Sequence, residues 1–175
     1  RRVLFRSYLE AAPNGWGNSS SADDACDTPG TASDDPGCAW SGVTGTAIGA
    51  TAQNTAVGTG YANTQAAVGQ AGGGNTAGRA ITAAWDFTNN GKSDWHLPSK
   101  DEINELCKYS RTQTTGDTSV QCNNSGSQRT GFSGGYWGSN EVTLSNSWQQ
   151  GFATGSRGQS AKTNSWKVRP VRAFG

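Results

Sequence analysis

Four cysteines impose the strongest constraint on how this chain can fold. They are widely spaced, at Cys26, Cys38, Cys107 and Cys122. Zinc sites normally take closely spaced cysteine and histidine ligands, but the chain has no CxxC motif and only one histidine. We therefore predict disulfides; of the three possible connectivities, the one with the shortest loops joins Cys26 to Cys38 and Cys107 to Cys122. Disulfides predict an oxidising compartment, so we expect a secreted or cell-surface protein.

The apolar composition predicts an ordered domain with an aromatic core. Leucine, isoleucine, valine and phenylalanine make up less than a fifth of the 175 residues, and the formal net charge is only +1. Disorder would also require a high net charge, and seven tryptophans can supply the missing buried area. The length suits a single domain. No apolar run is long enough to span a membrane, and the charge does not favour nucleic acid as a partner.

The first seven residues, RRVLFRS, differ in character from the rest of the chain. Their apolar run is too short for a signal peptide. A reverse translation of these residues resembles a common sequencing adapter, so we interpret residues 1–7 as an artefact, with a natural basic arm as the alternative. The domain then comprises residues 8–175, is truncated at its N terminus, and has lost any signal peptide upstream.

Local sequence patterns predict two helices. An alanine-rich segment, residues 63–84, is typical of one helix with a break at the glycines of residues 72–74. Ser99 and Glu102 have the spacing of a capping box, which predicts that a second helix begins at residues 98–100.

Alternating patterns predict several strands. Residues 8–12 form a short strand that ends at a turn, and further strands cover residues 135–139, 147–153 and 165–174. Pro170 cannot donate a hydrogen bond to a strand ladder, so we expect an edge or a bulge there.

Neither a metal site nor a catalytic site is favoured by the sequence. Five aspartates surround the first two cysteines, at Asp23, Asp24, Asp27, Asp34 and Asp35. They indicate a solvated loop, with calcium as the less favoured alternative. Residues 86–94 fit half of a calcium-loop template but lack its glutamate, which favours a plain turn. His96 has no catalytic partner nearby in the sequence and is interpreted as structural. We predict no catalytic residue, metal or cofactor.

Four phrases in order carry a family resemblance: YLEAAP (8–13), DWHLPSKDEINELC (94–107), YWGSNE (136–141) and KVRPVRAF (167–174). They resemble the C-terminal domain family of bacterial collagen-like surface adhesins, the Lcl C-terminal domains. The resemblance implies an α+β, C-type-lectin-like fold, with two helices beside a small twisted antiparallel sheet with long loops. It also implies a distant similarity to formylglycine-generating, sulfatase-modifying domains, whose catalytic cysteine pair has no counterpart after Cys122.

The last third of the chain is the predicted binding region. It has no acidic residue after Glu141 but has five basic ones, which favours an anionic ligand. Aromatic and amide side chains lie among them. The predicted ligand-binding residues are Asn140, Asn146, Trp148, Gln149, Gln150, Arg157, Gln159 and Lys162. Trp148 is expected to face the core, which leaves Gln149, Gln150, Arg157 and Lys162 as the better exposed candidates.

We therefore expect a non-catalytic, adhesin-like domain that binds an extracellular glycan or protein. An acidic polysaccharide is a candidate ligand because some adhesin relatives bind sulfated polysaccharide. A diversified C-type-lectin-like receptor domain for protein ligands is one alternative, and an inert structural module is another.

Overall fold

The computed structural model describes residues 8–17, 26 and 34–174. These residues form seven strands, β1 Tyr8–Ala11, β2 Gly37–Cys38, β3 Gly135–Glu141, β4 Asn146–Gly151, β5 Arg157–Ala161, β6 Trp166–Lys167 and β7 Val171–Phe174. They also form three α-helices, α1 Gly60–Val68, α2 Ala80–Asp86 and α3 Lys100–Ser110, and a 3-10 turn, Ala50–Ala52. This composition confirms the α+β class. The segment interpreted as an artefact, residues 1–7, lies outside the described residues.

The strands of the described region form two sheets. β1 and β7 pair as an antiparallel ribbon that brings the two ends of the described chain together. The larger sheet has the strand order β2-β6-β3-β4-β5. Its pairs are antiparallel except for β3 and β6, which run parallel. The prediction of a purely antiparallel sheet is therefore wrong, because the short strand β6 inserts between β2 and β3 with the direction of β3.

Pro170 divides the predicted strand at residues 165–174 into two strands of different sheets. β6 ends before it and β7 begins after it. Its carbonyl accepts a hydrogen bond from the N–H of Ala12 at 2.8 Å. On the other side of β7, Val171 exchanges two backbone hydrogen bonds of 2.9 Å with His96. The sequence predicted an edge or a bulge at Pro170, and the structure instead ends one strand before the proline and begins another after it.

The helices differ from the sequence expectation at one place. The alanine-rich segment forms two separate helices, α1 and α2, rather than one broken helix. Gly72, Gly73 and Gly78 in the connection have φ angles of 85°, 122° and 75°, which a continuing helix cannot accommodate. The prediction for α3 is confirmed: Ser99 accepts the N–H of Glu102, and Glu102 accepts the N–H of Ser99 at 2.7 Å.

Two apolar clusters fill the interior, and tryptophan dominates the first. This cluster contains Trp40 and Trp137 with residues of α1, α2 and the disulfide partners Cys26 and Cys38. The second lies between α3 and the sheet, where Phe152 and Tyr136 pack beside a second disulfide that joins Cys107 to Cys122. Both predicted disulfides and the aromatic core are confirmed. None of the described helices is long and apolar enough to cross a membrane.

Candidate functional site

Most basic residues of the last third are neutralised by carboxylates from other parts of the chain. Four of the five form ion pairs, namely Lys162 with Glu141, Lys167 with Asp34, Arg169 with Asp35, and Arg172 with Asp94 and Glu10. Arg157 alone has no carboxylate partner among the described residues. The basic stretch therefore does not present the concentrated positive charge that the sequence suggested. Asp23, Asp24 and Asp27 of the acidic loop lie outside the described residues.

Lys162 is fully buried, so the prediction that it is exposed is wrong. Its side chain is 0% exposed, and Nζ lies 2.7 Å from Oε1 of Glu141 and 5.0 Å from the centre of the Trp40 ring. Burial alone would raise the pKa of Glu141. Hydrogen bonds from Lys162 and from the N–H groups of Gly49 and Ile48 hold that pKa below its usual value. Lys162 thus belongs to the interior scaffold and is not available to a ligand.

Asn140 and Gln150 are also buried. Oδ1 of Asn140 accepts the N–H of Lys100 at 2.6 Å, and its amide donates to the carbonyl of Asn54. Gln150 points from β4 toward α3, where its Nε2 lies 3.4 Å from Oδ1 of Asn104. The prediction that Gln150 is exposed is wrong because α3 covers this part of the sheet. Both residues hold elements together.

Gln149 is separated from the other candidates by the alternation of side chains along a strand. It lies directly opposite Trp137 on β3 and Gly158 on β5. Directly paired residues share a face of the sheet, whereas neighbours along a strand point to opposite faces. Gln149 therefore lies on the face of Trp137, away from Trp148, and is half-buried there.

The remaining four predicted residues lie on one face of β4 and β5. Trp148 is directly opposite Gln159, and Arg157 lies two positions from Gln159 on the same strand. Asn146 lies two positions from Trp148, so it shares this face as well. Gln159 is exposed, whereas the other three side chains are half-buried. Trp148 packs against the second apolar cluster, as expected for a residue that faces the core, and its side chain is half-buried.

Lys100, which was not among the predicted binding residues, completes this group. Its Nζ lies 4.7 Å from the centre of the Trp148 ring. We call the group the Trp148 face; its members are Lys100, Asn146, Trp148, Arg157 and Gln159. Neither Lys100 nor Arg157 has a carboxylate partner among the described residues. The face therefore joins an indole ring, two amides and two cations that form no ion pair within the described part of the chain.

The position of Lys100 follows from α3 and its contact with β3. Lys100 is the first residue of α3, and the buried Asn140 accepts its backbone N–H. A cation is disfavoured at a helix N terminus because the helix dipole is positive there. A lysine at this position therefore carries a small electrostatic cost, and this was the one indication in the sequence that could have drawn attention to Lys100.

His96 lies away from this face and is packed in the interior, which is one of the two placements, packed or at the surface, that a structural histidine could take. It is 2% exposed, with Nδ1 3.2 Å from the carbonyl of Asp94 and Nε2 3.9 Å from Glu102. Burial lowers the pKa of His96 despite the nearby carboxylate of Glu102. Among the described residues, no group of histidine, cysteine, aspartate and glutamate side chains is arranged to hold a metal ion.

The fold and its two disulfides define a disulfide-bonded α+β domain of the kind found outside the cytosol. The model of the Lcl C-terminal domain family matches residues 16–172, and the chain belongs to this family. Family and disulfides together indicate an extracellular, surface-associated domain. No curated protein matches the chain.

Proposed function

We propose that this domain is a non-catalytic, adhesin-like module that binds an acidic extracellular glycan at the Trp148 face. The observation that carries the proposal is the contact of Lys100 with the half-buried ring of Trp148, on a face where Arg157 also has no carboxylate partner among the described residues. Unpaired cations can bind sulfate or carboxylate groups without first breaking an ion pair. The proposal includes a C-type-lectin-like fold for this domain.

Each member of the face has a chemical role in such binding. The indole of Trp148 offers an apolar surface to the C–H groups of a sugar ring. The amides of Asn146 and Gln159 can donate to and accept from hydroxyl groups. Lys100 and Arg157 supply the charge that distinguishes an acidic glycan from a neutral one. Because β4, β5 and α3 position these side chains, little reorganisation is required on binding.

A comparison of heparin, dextran sulfate and uncharged dextran tests the proposal. We expect binding to the two sulfated polymers but not to dextran, and weaker binding as salt is raised. The double variant K100A/R157A should bind about five- to tenfold more weakly at low salt, since exposed ionic contacts contribute about 0.2–1 kcal/mol each.

Lys92 offers a matched control because it is exposed and lies in a separate turn, where it pairs with Asn89. The variant K92A should bind the sulfated polymers as the unmodified protein does. Equal losses in K92A and in K100A/R157A would indicate nonspecific charge attraction and would contradict the assignment. Failure of every polymer to bind would favour the inert structural module or a protein ligand.

A further inference from the structure

We propose a second carbohydrate site, specific for neutral sugars, on helices α1 and α2 around Tyr61 and Trp85. This site is separate from the Trp148 face and does not depend on the function proposed for it. Four observations support it: a pair of aromatic rings at the surface, hydrogen-bonding groups without partners among the described residues, a rigid base, and the absence of basic residues from both helices.

The aromatic pair joins the beginning of α1 to the end of α2. The ring centres of Tyr61 and Trp85 lie 5.1 Å apart, with the ring planes inclined by 44°. Tyr61 is 40% exposed and Trp85 is half-buried. The two rings therefore form a continuous aromatic surface that the C–H groups of a pyranose ring can contact.

Trp85 differs from the other six tryptophans in its indole N–H group. Four of the others donate this group to protein acceptors, namely Trp16, Trp40, Trp137 and Trp166. The indole nitrogens of Trp95 and Trp148 are buried and have no acceptor among the described residues. Nε1 of Trp85 likewise has no acceptor in the described part of the chain, but it is not among the buried nitrogens. Within the described residues it is thus the one indole N–H that is available to a ligand hydroxyl.

Further polar groups lie beside the rings. The hydroxyl of Tyr61 has no hydrogen-bond partner among the described residues. Gln65 lies one helical turn after Tyr61, is exposed, and has no side-chain hydrogen bond within the described part of the chain. Together these groups offer both donors and acceptors, as the hydroxyls of a sugar require.

The packing beneath Tyr61 holds its ring in place. Gly60 sits so close to the interior that an added Cβ would lie 2.8 Å from Cδ2 of His96. The ring of Tyr61 then meets the buried His96 ring edge-on, with centres 5.8 Å apart and planes at 83°. Because His96 is held by its own backbone and carboxylate contacts, Tyr61 rests on a fixed base. A fixed ring loses little conformational freedom when a ligand binds.

The charged residues of α1 and α2 determine which class of sugar these helices can bind. Neither α1 nor α2 contains lysine or arginine, and Asp86 is the only charged residue in them. An acidic sugar would find no cation on these helices, so the ligand expected is a neutral sugar.

Indole resonances in NMR spectra of the whole protein test this inference. Maltotriose, cellotriose and chitotriose are titrated separately into labelled protein, and the Trp85 resonance is assigned from its loss in W85F. We expect at least one trisaccharide to shift this resonance with a dissociation constant in the millimolar range. No shift with any of the three sugars would overturn the inference.

Variants of Tyr61 test whether the trisaccharide binds at this residue. The variant Y61A should weaken trisaccharide binding about five- to tenfold, as expected for the loss of one aromatic contact. Y61F keeps the ring and the fold, and should lose only the hydrogen bond of the hydroxyl, with a smaller weakening. The control Y109A removes another exposed tyrosine, and K100A/R157A removes the cations of the Trp148 face; both should bind the sugar normally. Unchanged affinity in both Tyr61 variants would also overturn the inference.

Discussion

Two lysine–tryptophan pairs in this molecule have nearly the same geometry and opposite surroundings. Lys162 lies 5.0 Å from the ring centre of Trp40, and Lys100 lies 4.7 Å from that of Trp148. Trp40 and Lys162 are fully buried, and Glu141 neutralises the lysine. Trp148 and Lys100 are half-buried, and the lysine has no carboxylate partner among the described residues.

The difference shows that residue types alone do not distinguish a scaffold contact from a binding surface. In the interior, the charge of Lys162 is balanced because an unpaired buried charge is costly. At the surface, water stabilises the charge of Lys100, so a counter-charge is not required. Burial and counter-charge therefore assign the first pair to the stability of the fold, and they make the second pair a candidate for the binding site that we propose.

Breaking the interior pair should have the largest effect. The variant K162A leaves the carboxylate of Glu141 buried without its cation, which should lower the free energy of unfolding by about 3–5 kcal/mol. The matched variant K100A should change it by no more than about 0.5 kcal/mol. Urea denaturation measures both values. Equal losses in the two variants would remove the distinction between the pairs.

The two indole N–H groups provide a second contrast. Nε1 of Trp40 donates to the carbonyl of Gly138 at 2.8 Å, whereas Nε1 of Trp148 is buried and has no acceptor among the described residues. The variant W40F should therefore cost about 1–3 kcal/mol from the unsatisfied carbonyl, in addition to the loss of packing. W148F removes an unsatisfied donor and should cost clearly less. Thermal or urea denaturation checks the order, and a larger cost for W148F would contradict it.

A smaller, pH-dependent effect is expected from His96, another titratable group of the interior. Burial holds the pKa of His96 below its ordinary value of 6.5, so the unfolded chain binds a proton at higher pH than the folded protein does. Stability should therefore be constant above about pH 7 and decline as the pH falls through the ordinary pKa toward the lower folded one.

His96 is the only histidine, which gives this prediction a simple control. The variant H96Q should lose the decline between pH 7 and about 5.5, where carboxylates of ordinary pKa remain ionised. Denaturation curves across this range, recorded for both proteins, provide the measurement. An equal decline in H96Q would assign the pH dependence to other groups.

The sequence predicted features that depend on neighbouring residues and missed those that depend on distant ones. The capping box of Ser99 and Glu102 and the interruption at Pro170 arise from local chemistry, and both are present. The pairing of Lys167 with Asp34 joins residues that are far apart in the chain. No local sequence pattern indicates such a pair, so the sequence predicted a positively charged surface for the basic stretch.

The candidate site was predicted only in part, because some of its features also depend on residues that are far apart in the chain. Strand alternation could have separated Gln149 from Trp148, because it requires only the position of β4. The burial of Gln150 depends on α3, which covers that part of the sheet, and the burial of Lys162 depends on its ion pair with Glu141. Lys100 could not be placed beside Trp148 without the packing of α3 on the sheet.

The most direct test of the account is the location of amide chemical-shift changes when a heparin-derived tetrasaccharide binds to the labelled protein. We predict that the largest changes occur at Lys100 and along the neighbouring segments of β4 and β5, residues 146–148 and 157–159. Changes concentrated instead at Lys167, Arg169 and Arg172 would show that the ion-paired stretch binds the ligand, and would contradict the assignment of the site to the Trp148 face.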